Sequence, residues 1–407
     1  MNILLINHYA GSESLGMEFR PWYLAKEWIK LGHKVTILSA SYSHLRTFQP
    51  EIHSIYEKKV LDHVNFLFLK TPKYKGNGFK RVLNIFMFVY RLKKFGNKIY
   101  NEFKPDIVIA SSTYPFDIYP AHQIAKKSKA KLVFEVHDLW PLSPMELGGY
   151  SKYHPFIMMI QNAENYAYKN ADHVVSLLPN TKLHMMNHGL LSKKFNYIPN
   201  GIDISAWEIE ENIPFEHDKL LSKLKKDKKI IVGYVGTHGL ANALNTFIAS
   251  AKGILNQNIV YVLVGNGNEK EKLIKSADEL ELNNVYFLPP VQKKVIPSLL
   301  SKFDILYIGW SKNKLYRFGI SPNKLFDYMM AGKPIIHSVY ASNDPVKESN
   351  CGISVDPENP RAIAQAIDEL TSLGEEEKIN MGINAKKYVI DNHNYMILAE
   401  EFINIFK

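Results

Sequence analysis

What most constrains this chain is a rhythm: short apolar runs alternate with amphipathic stretches along nearly its whole length. In the first half the pattern predicts strands at 2–7, 34–39, 64–69, 106–110, 131–136 and 173–178, with helices at 18–31, 79–103, 118–128 and 156–170. The second half repeats it, with strands at 229–235, 259–264, 284–288, 304–308, 334–338 and 353–355. Helices are predicted between and after them at 242–254, 268–280, 292–302, 322–331, 360–373 and 375–390, and a last one at about 393–406. Strands buried on both faces need apolar runs of this kind, and intervening helices supply the crossovers of parallel sheets. The expected fold class is α/β: two doubly wound Rossmann-like domains facing each other across a cleft, with ligands bound at the carboxyl ends of the strands.

A chain of 407 residues is too long for one ordinary core. The boundary is expected at "YIPNGID", 197–203, where Pro199, Asn200 and Gly201 make a turn. This gives an N-terminal domain 1–200, a C-terminal domain 201–390, and a helical segment 391–407 expected to pack back on the N-terminal domain. No apolar run is long enough to span a bilayer. The opening residues read as a first strand rather than as a signal peptide. A single cysteine, Cys351, excludes an internal disulfide and fits a reducing cytoplasm; it reads as a small residue near a turn rather than a catalytic thiol.

Charge is distributed unevenly. Residues 1–200 hold 26 Lys/Arg against 14 Asp/Glu, whereas residues 201–407 hold 24 against 26. The basic surplus of the first half points to a polyanionic partner: an anionic membrane surface, a nucleic acid or a phosphorylated acceptor. No recognised nucleic-acid module accompanies it, so nucleic acid is not expected. Between Lys73 and Lys104 nine basic residues face one acid, Glu102. Val82, Ile85, Phe86, Val89, Leu92, Ile99 and Phe103 recur there at helical spacing. One reading is an amphipathic helix packed on the core with a basic outer face. The other lays the same helix on anionic lipid, with Phe88 and Tyr90 entering the interface.

The stretch "RFGISPNKLFDYMMAGKPII", 317–336, reads as a loop, a helix and a buried strand. Lys312, Lys314, Arg317 and Lys324 lead into the helix with no acid among them, so cations, backbone N–H groups and the helix dipole would converge there on an anion such as a diphosphate. Ordinary cap chemistry, with Ser321 as cap and Pro322 at the first helical position, is the alternative. Asp327, three residues after Lys324, is placed either to hold the hydroxyls of an adjoining ribose or to pair with Lys324 on the helix surface. "GYVGTHGLANAL", 233–244, follows a strand; Gly236 and Gly239 permit close approach of backbone to a ligand, and Thr237 or His238 would touch phosphate. In "VGNGNEKEKL", 264–273, Asn266 and Gly267 make a second tight turn. In the first half, "FEVHDLWP" sets His137 and Asp138 at the end of an apolar strand, where His137 would donate to phosphate or sugar hydroxyls, or simply cap the strand. "HYAGSESLGMEFRPW", 8–22, carries Gly16, Glu18 and Arg20, which would hold an acceptor or serve only as charges at a helix start. No Asp-x-Asp pair, zinc-spaced cluster or phosphate-binding P-loop occurs, so protein cations and dipoles, not a metal, would balance a bound diphosphate.

Taken together, "GMEFRPWYLAKEWIKLGHKVTILSA" (16–40), "HDLWP" (137–141), "PNGID" (199–203), "GYVGTHGLANALNTF" (233–247) and "GISPNKLFDYMMAGKPII" (319–336) resemble the GT-B glycosyltransferases of family 4 over essentially the full chain. "GISPNKLFDYM" and "HDLWP" resemble in particular the bacterial branch that builds O-antigens and capsules, including proteins like the N-acetyl-L-fucosamine transferases. The resemblance implies a retaining transferase with no metal or other cofactor. Its donor would be a nucleotide sugar, UDP-linked and carrying an N-acetylated amino sugar, held mainly by the second domain. The basic charge of the first domain suggests in addition an acceptor linked to a polyprenyl diphosphate, with the enzyme in the cytoplasm against the inner face of the membrane. By position, Ser321, Pro322, Asn323 and Lys324 would hold the diphosphate and Asp327 the ribose. Gly236 to Gly239 would line the phosphates, His137 would lie beside the donor sugar, and Lys324 and Arg317 would stabilise the leaving group. The family's E-x7-E motif would begin at 319, which is Gly here, and its second glutamate is shortened to Asp327. The basic pair usual after the first strand of the second domain is missing, leaving His238, with Arg317 and Lys324 as substitutes. Two other readings are a nucleotide-sugar epimerase of the same fold and a non-catalytic protein that binds the membrane surface.

Overall fold

The apolar runs do pair into two sheets in this computed structural model, which describes residues 1–76 and 78–407. The chain divides into two compact units, residues 1–200 with 395–407, and 201–394.

The first unit holds eight strands: β1 (Asn2–Ile6), β2 (Lys34–Ala40), β3 (Tyr56–Leu61), β4 (Val64–Leu69), β5 (Ile107–Ala110), β6 (Lys131–Val136), β7 (His173–Ser176) and β8 (Phe195–Tyr197). Their order is β3-β4-β2-β1-β5-β6-β7-β8, parallel except for the β3–β4 pair. Strand order reverses between β1 and β5, whose partners run Ile3 to Ile107 through Ile6 to Ala110. β3 and β8 escape the apolar-run criterion for a physical reason. β3 is an edge strand of sequence YEKKVL with alternating exposure, and β8 is three residues long. The final helix, Tyr395–Asn404, packs Leu398, Ala399 and Phe402 into the core beside Trp22 and Trp28. The indole Nε1 of Trp28 donates to the Ala399 carbonyl at 3.1 Å.

The second unit holds β9 (Ile230–Val235), β10 (Ile259–Val264), β11 (Val285–Leu288), β12 (Ile305–Gly309), β13 (Ile335–Ser338) and β14 (Gly352–Val355). They are ordered β11-β10-β9-β12-β13-β14 and all parallel. This is the doubly wound order, and it switches direction between β9 and β12. β10, IVYVLV, is buried at every position. Full burial of each such aliphatic side chain contributes roughly 1.5–3 kcal/mol.

Several helical expectations change. The segment 79–103 is two helices, Phe79–Lys94 and Gly96–Phe103, broken at Phe95, with glycine, a weak helix former, opening the second. Phe88 faces the core with no exposure, so it does not enter a membrane interface, whereas Phe86 is 37% and Tyr90 59% exposed. A helix at Phe215–Lys226 lies outside the predicted set, because FEHDKLLSKLKK carries only a narrow apolar stripe of Leu221 and Leu224. The helix Glu375–His393 runs three residues past its predicted end, and the second unit ends at Asn394.

Candidate active site

In the second unit the switch point puts three loops at the carboxyl edge of adjacent strands: 236–243 after β9, 265–269 after β10, and 310–322 after β12. Crevices of this kind are where open α/β sheets take ligands. The first two loops interlock. The His238 N–H donates to the Asn266 carbonyl at 2.8 Å, and Glu269 N–H donates to the His238 carbonyl at 3.1 Å. The fit requires glycine at 267, since a Cβ there would lie 2.2 Å from the His238 oxygen.

The third loop leads into the helix Asn323–Ala331. Its N-cap is Pro322, which supplies no side-chain cap, and Ser321, the expected cap, lies one residue outside. Elsewhere in the unit Asp344 and Asn359 cap their helices with side-chain oxygens. The N-cap residue of the helix Asn323–Ala331 thus adds no side-chain acceptor to the positive end of its dipole.

Lys324 turns inward from this helix end. Its Nζ donates to the Tyr234 hydroxyl at 2.6 Å and to Asn242 Oδ1 at 3.0 Å, and it lies 4.3 Å from the centre of the Tyr234 ring. Tyr234 and Asn242 in turn both donate to the Thr237 carbonyl, at 2.7 and 3.0 Å. Both partners of the ammonium are neutral, and one of its three N–H donors remains for a ligand. Burial lowers the Lys324 pKa to about 7. Gly236 is required by the same packing: at φ +156° a Cβ would lie 2.6 Å from Lys324 Cε.

The other expected cations do not join it. Lys312, Lys314 and Arg317 are exposed, and the Arg317 guanidinium donates to the Lys314 carbonyl at 2.6 Å while stacking 4.4 Å over the Phe318 ring. Thr237 and Asn266 are exposed and Gly239 is half-buried. His238 differs from the expectation that it touches phosphate. Its side chain has no exposure, and neither ring nitrogen has a hydrogen-bond partner. Burial, then the charges of Lys270 and Lys324, lower its pKa to about 4, so it is neutral near pH 7. Asp327, 7% exposed, pairs with Lys293 rather than with Lys324. Sequence reasoning missed Tyr234, Asn242 and Lys293. Of these, Tyr234 and Asn242 lay in a motif already singled out, but only folding shows that both meet Lys324.

In the first unit the carboxyl edge carries a buried polar chain. Arg20, expected to hold an acceptor, is instead an internal strut with no exposure. Its guanidinium donates to Glu135 Oε1 at 3.1 and 3.0 Å, and to the carbonyls of Ile198 (3.0 Å) and Pro199. Glu135, equally buried, accepts from the Ser111 hydroxyl at 2.6 Å and lies 3.3 Å from His137 Nε2. Burial opposes the Glu135 charge, but Arg20 and His137 overcome it and hold the carboxyl at about 2. For His137 burial also opposes the charged form. The hydrogen bond and charge of Glu135, with the charge of half-buried Glu18, outweigh it and raise the pKa. The signal for Glu135 was an acid inside the apolar strand KLVFEV, which requires a cation nearby. Gly16, at φ +89°, backs onto Thr47, where a Cβ would meet Oγ1 at 2.8 Å; it shapes the loop rather than opening it to a ligand. Asp117 is buried beside this chain, burial raising its pKa to about 7. A groove of about 710 Å³, lined by Asn2, Lys34 and Lys104, lies at the opposite, amino edge of this sheet.

Comparison with known proteins gives this geometry its context. Residues 16–206 match the family described as Glycosyltransferase Family 4, and residues 217–388 match Glycosyl transferases group 1. WcaI of Escherichia coli K12, whose name is that of a colanic acid biosynthesis glycosyl transferase, is 22% identical over 93% of both chains. MJ1069 of Methanocaldococcus jannaschii, an uncharacterized glycosyltransferase, is 29% identical, and the chain spans 59% of that relative's length. Among solved structures, Anabaena HepE in complex with UDP superposes with a TM-score of 0.69 at 14% identity, covering 100% of this chain and 99% of that one. With a family 4 region followed by a group 1 region on two Rossmann-like units, the chain is a glycosyltransferase of the GT-B type.

Proposed function

We propose that this enzyme moves a sugar from a nucleoside diphosphate to a lipid-linked oligosaccharide acceptor during cell-surface polysaccharide synthesis, with retention at the anomeric carbon. The observation that carries the reading is the Lys324 ammonium. It has neutral partners only, packs against Gly236, and stands at a helix N-terminus whose N-cap, Pro322, supplies no side-chain acceptor, at the switch point of the second sheet. A diphosphate would supply the missing negative charge, accept the third Lys324 N–H and cap the helix. A UDP-bound neighbour of the same fold and a relative named for colanic acid synthesis support a nucleotide-sugar donor and a polysaccharide product.

In the proposed step the bond from the anomeric carbon to the diphosphate oxygen breaks while the acceptor hydroxyl attacks from the same face. The hydroxyl proton passes to the departing diphosphate. Catalysis comes from placing both substrates and stabilising charge as it develops on the leaving group, which is the role of Lys324 and the helix end. Protein groups alone balance that charge in this reading, without a metal. Asp327 and its partner Lys293 would receive the ribose, and His137 would donate to sugar hydroxyls. The donor is proposed to be a UDP-linked N-acetylated amino sugar.

Membrane association at the inner leaflet belongs to the same proposal. Phe79, Leu83, Phe86 and Tyr90 are exposed by 79%, 43%, 37% and 59%, and their spacing lines one face of the basic helix Phe79–Lys94. Among the described residues no helix is long and apolar enough to cross a membrane. A thermal-shift panel of nucleotide sugars, followed by turnover with and without a lipid-diphosphate acceptor, tests the function. Product from donor alone would indicate an epimerase. Vesicle binding with neither nucleotide binding nor turnover would indicate a surface-binding protein.

A further inference from the structure

The first unit also assembles a donor set that sugar transfer does not use. Glu164 lies within the helix Pro155–Asn170, His184 within the helix Lys182–Asn187, and His188 at the C-cap of the latter. Four-residue spacing brings the two imidazoles to one face, with ring centroids 4.4 Å apart. One ligating atom from each of the three residues lies within 4.8 Å of the others.

The surroundings prepare these groups as ligands. His188 Nδ1 lies 2.8 Å from the His184 carbonyl. A carbonyl only accepts, so Nδ1 carries the proton and Nε2 presents its lone pair, which is how metal-binding imidazoles are usually oriented. Glu164 is 2% exposed. Its two oxygens accept from the Tyr168 hydroxyl at 2.8 Å and from Gln161 Nε2 at 2.7 Å, which fixes the carboxylate and leaves further lone pairs on both oxygens. His184 and His188 are half-buried, and the His184 Nε2 is itself shielded from solvent.

We propose that Glu164, His184 and His188 bind one divalent first-row transition ion, zinc in the first instance, with a fourth position for water, clamping the helix Pro155–Asn170 to the helix Lys182–Asn187. Two nitrogens and one carboxylate suit zinc, whereas magnesium and calcium take all-oxygen sites. Bonds of about 2.0–2.1 Å require the ligand atoms to close to roughly 3.3 Å from one another, a movement of the order of an ångström for side chains at a solvent-facing edge. A doubly charged ion would also compensate the buried carboxylate.

The test uses the untagged 407-residue chain, stripped with chelator and titrated with Co²⁺ and then Zn²⁺. We expect one Co²⁺ per chain with a visible d–d band, displacement of that band by Zn²⁺, and a rise in melting temperature reversed by chelator. Glu164→Gln and His188→Ala should each weaken binding by at least about 100-fold and abolish the rise, because loss of a ligand exceeds the 10–100-fold cost of losing an outer partner. His53→Ala, at an exposed histidine, should change neither. His184→Gln provides a second variant at a half-buried position, and circular dichroism of the stripped proteins separates lost binding from lost folding. No saturable Co²⁺ site at micromolar affinity would overturn the proposal. So would full binding by the folded Glu164→Gln/His188→Ala double variant.

Discussion

The Lys324 ammonium makes the proposed donor site a proton-linked site, and the linkage can be worked through. In the free protein burial holds its pKa at about 7, below the ordinary lysine value. A bound diphosphate favours the charged form and returns the pKa towards or above about 10.4. At pH 6 the group is already protonated and binding takes up almost no proton. Above pH 7 the protein must first acquire one, and the cost is RT ln(1 + 10^(pH−7)). That cost is about 0.4 kcal/mol at pH 7 and about 2.1 kcal/mol at pH 8.5, so affinity should fall about 15-fold between them. The probe is UDP-glucose or whichever nucleotide sugar the thermal-shift panel selects, because a diphosphate diester has no phosphate ionisation in this window. Titration calorimetry in two buffers of different ionisation enthalpy should read about 0.5 proton taken up at pH 7 and about 0.9 at pH 8. His238, with its pKa at about 4, is neutral throughout, so any uptake by it would fall below pH 7. Lys324→Met should weaken binding and flatten the slope. An affinity independent of pH from 7 to 8.5, or no buffer dependence of the heat, would refute the contact between Lys324 and phosphate.

Three other outcomes follow from the geometry. Glu135→Gln leaves the Arg20 guanidinium buried without its counter-charge, so the first unit should lose about 3–5 kcal/mol of stability. His137 should also ionise at lower pH, which an NMR titration of the imidazole would read directly. Gly236→Ala places a methyl 2.6 Å from Lys324 Cε; KM for the donor should rise at least tenfold, with about 1–3 kcal/mol of strain in the melting curve. Unchanged donor kinetics would detach that loop from the site. Phe79→Ser with Tyr90→Ser removes exposed aromatics without touching the core. Anionic-vesicle binding should drop at least tenfold, since burying each such ring contributes roughly 1.5–3 kcal/mol, and it should be salt-sensitive in the unaltered protein. Binding indifferent to both would remove the membrane from the proposal.

The twelve buried-strand candidates were legible from the chain alone because a strand covered on both faces has to be an apolar run, whatever its neighbours. The edge strand Tyr56–Leu61 and the charged helix Phe215–Lys226 were not, since their stability comes from one partner rather than from their own composition. Glycine turns and the cation at the start of the helix Asn323–Ala331 were equally visible, because phosphate recognition relies on residue types close together in sequence. What tertiary structure alone decided is which charges are available. Arg20 and Lys324 are both basic residues at helix starts, yet one is consumed by Glu135 and the other is left with neutral partners. That difference depends on residues 115 and 90 positions away. Pairing of charges is set by distance in space and by desolvation, and neither is written in local sequence spacing.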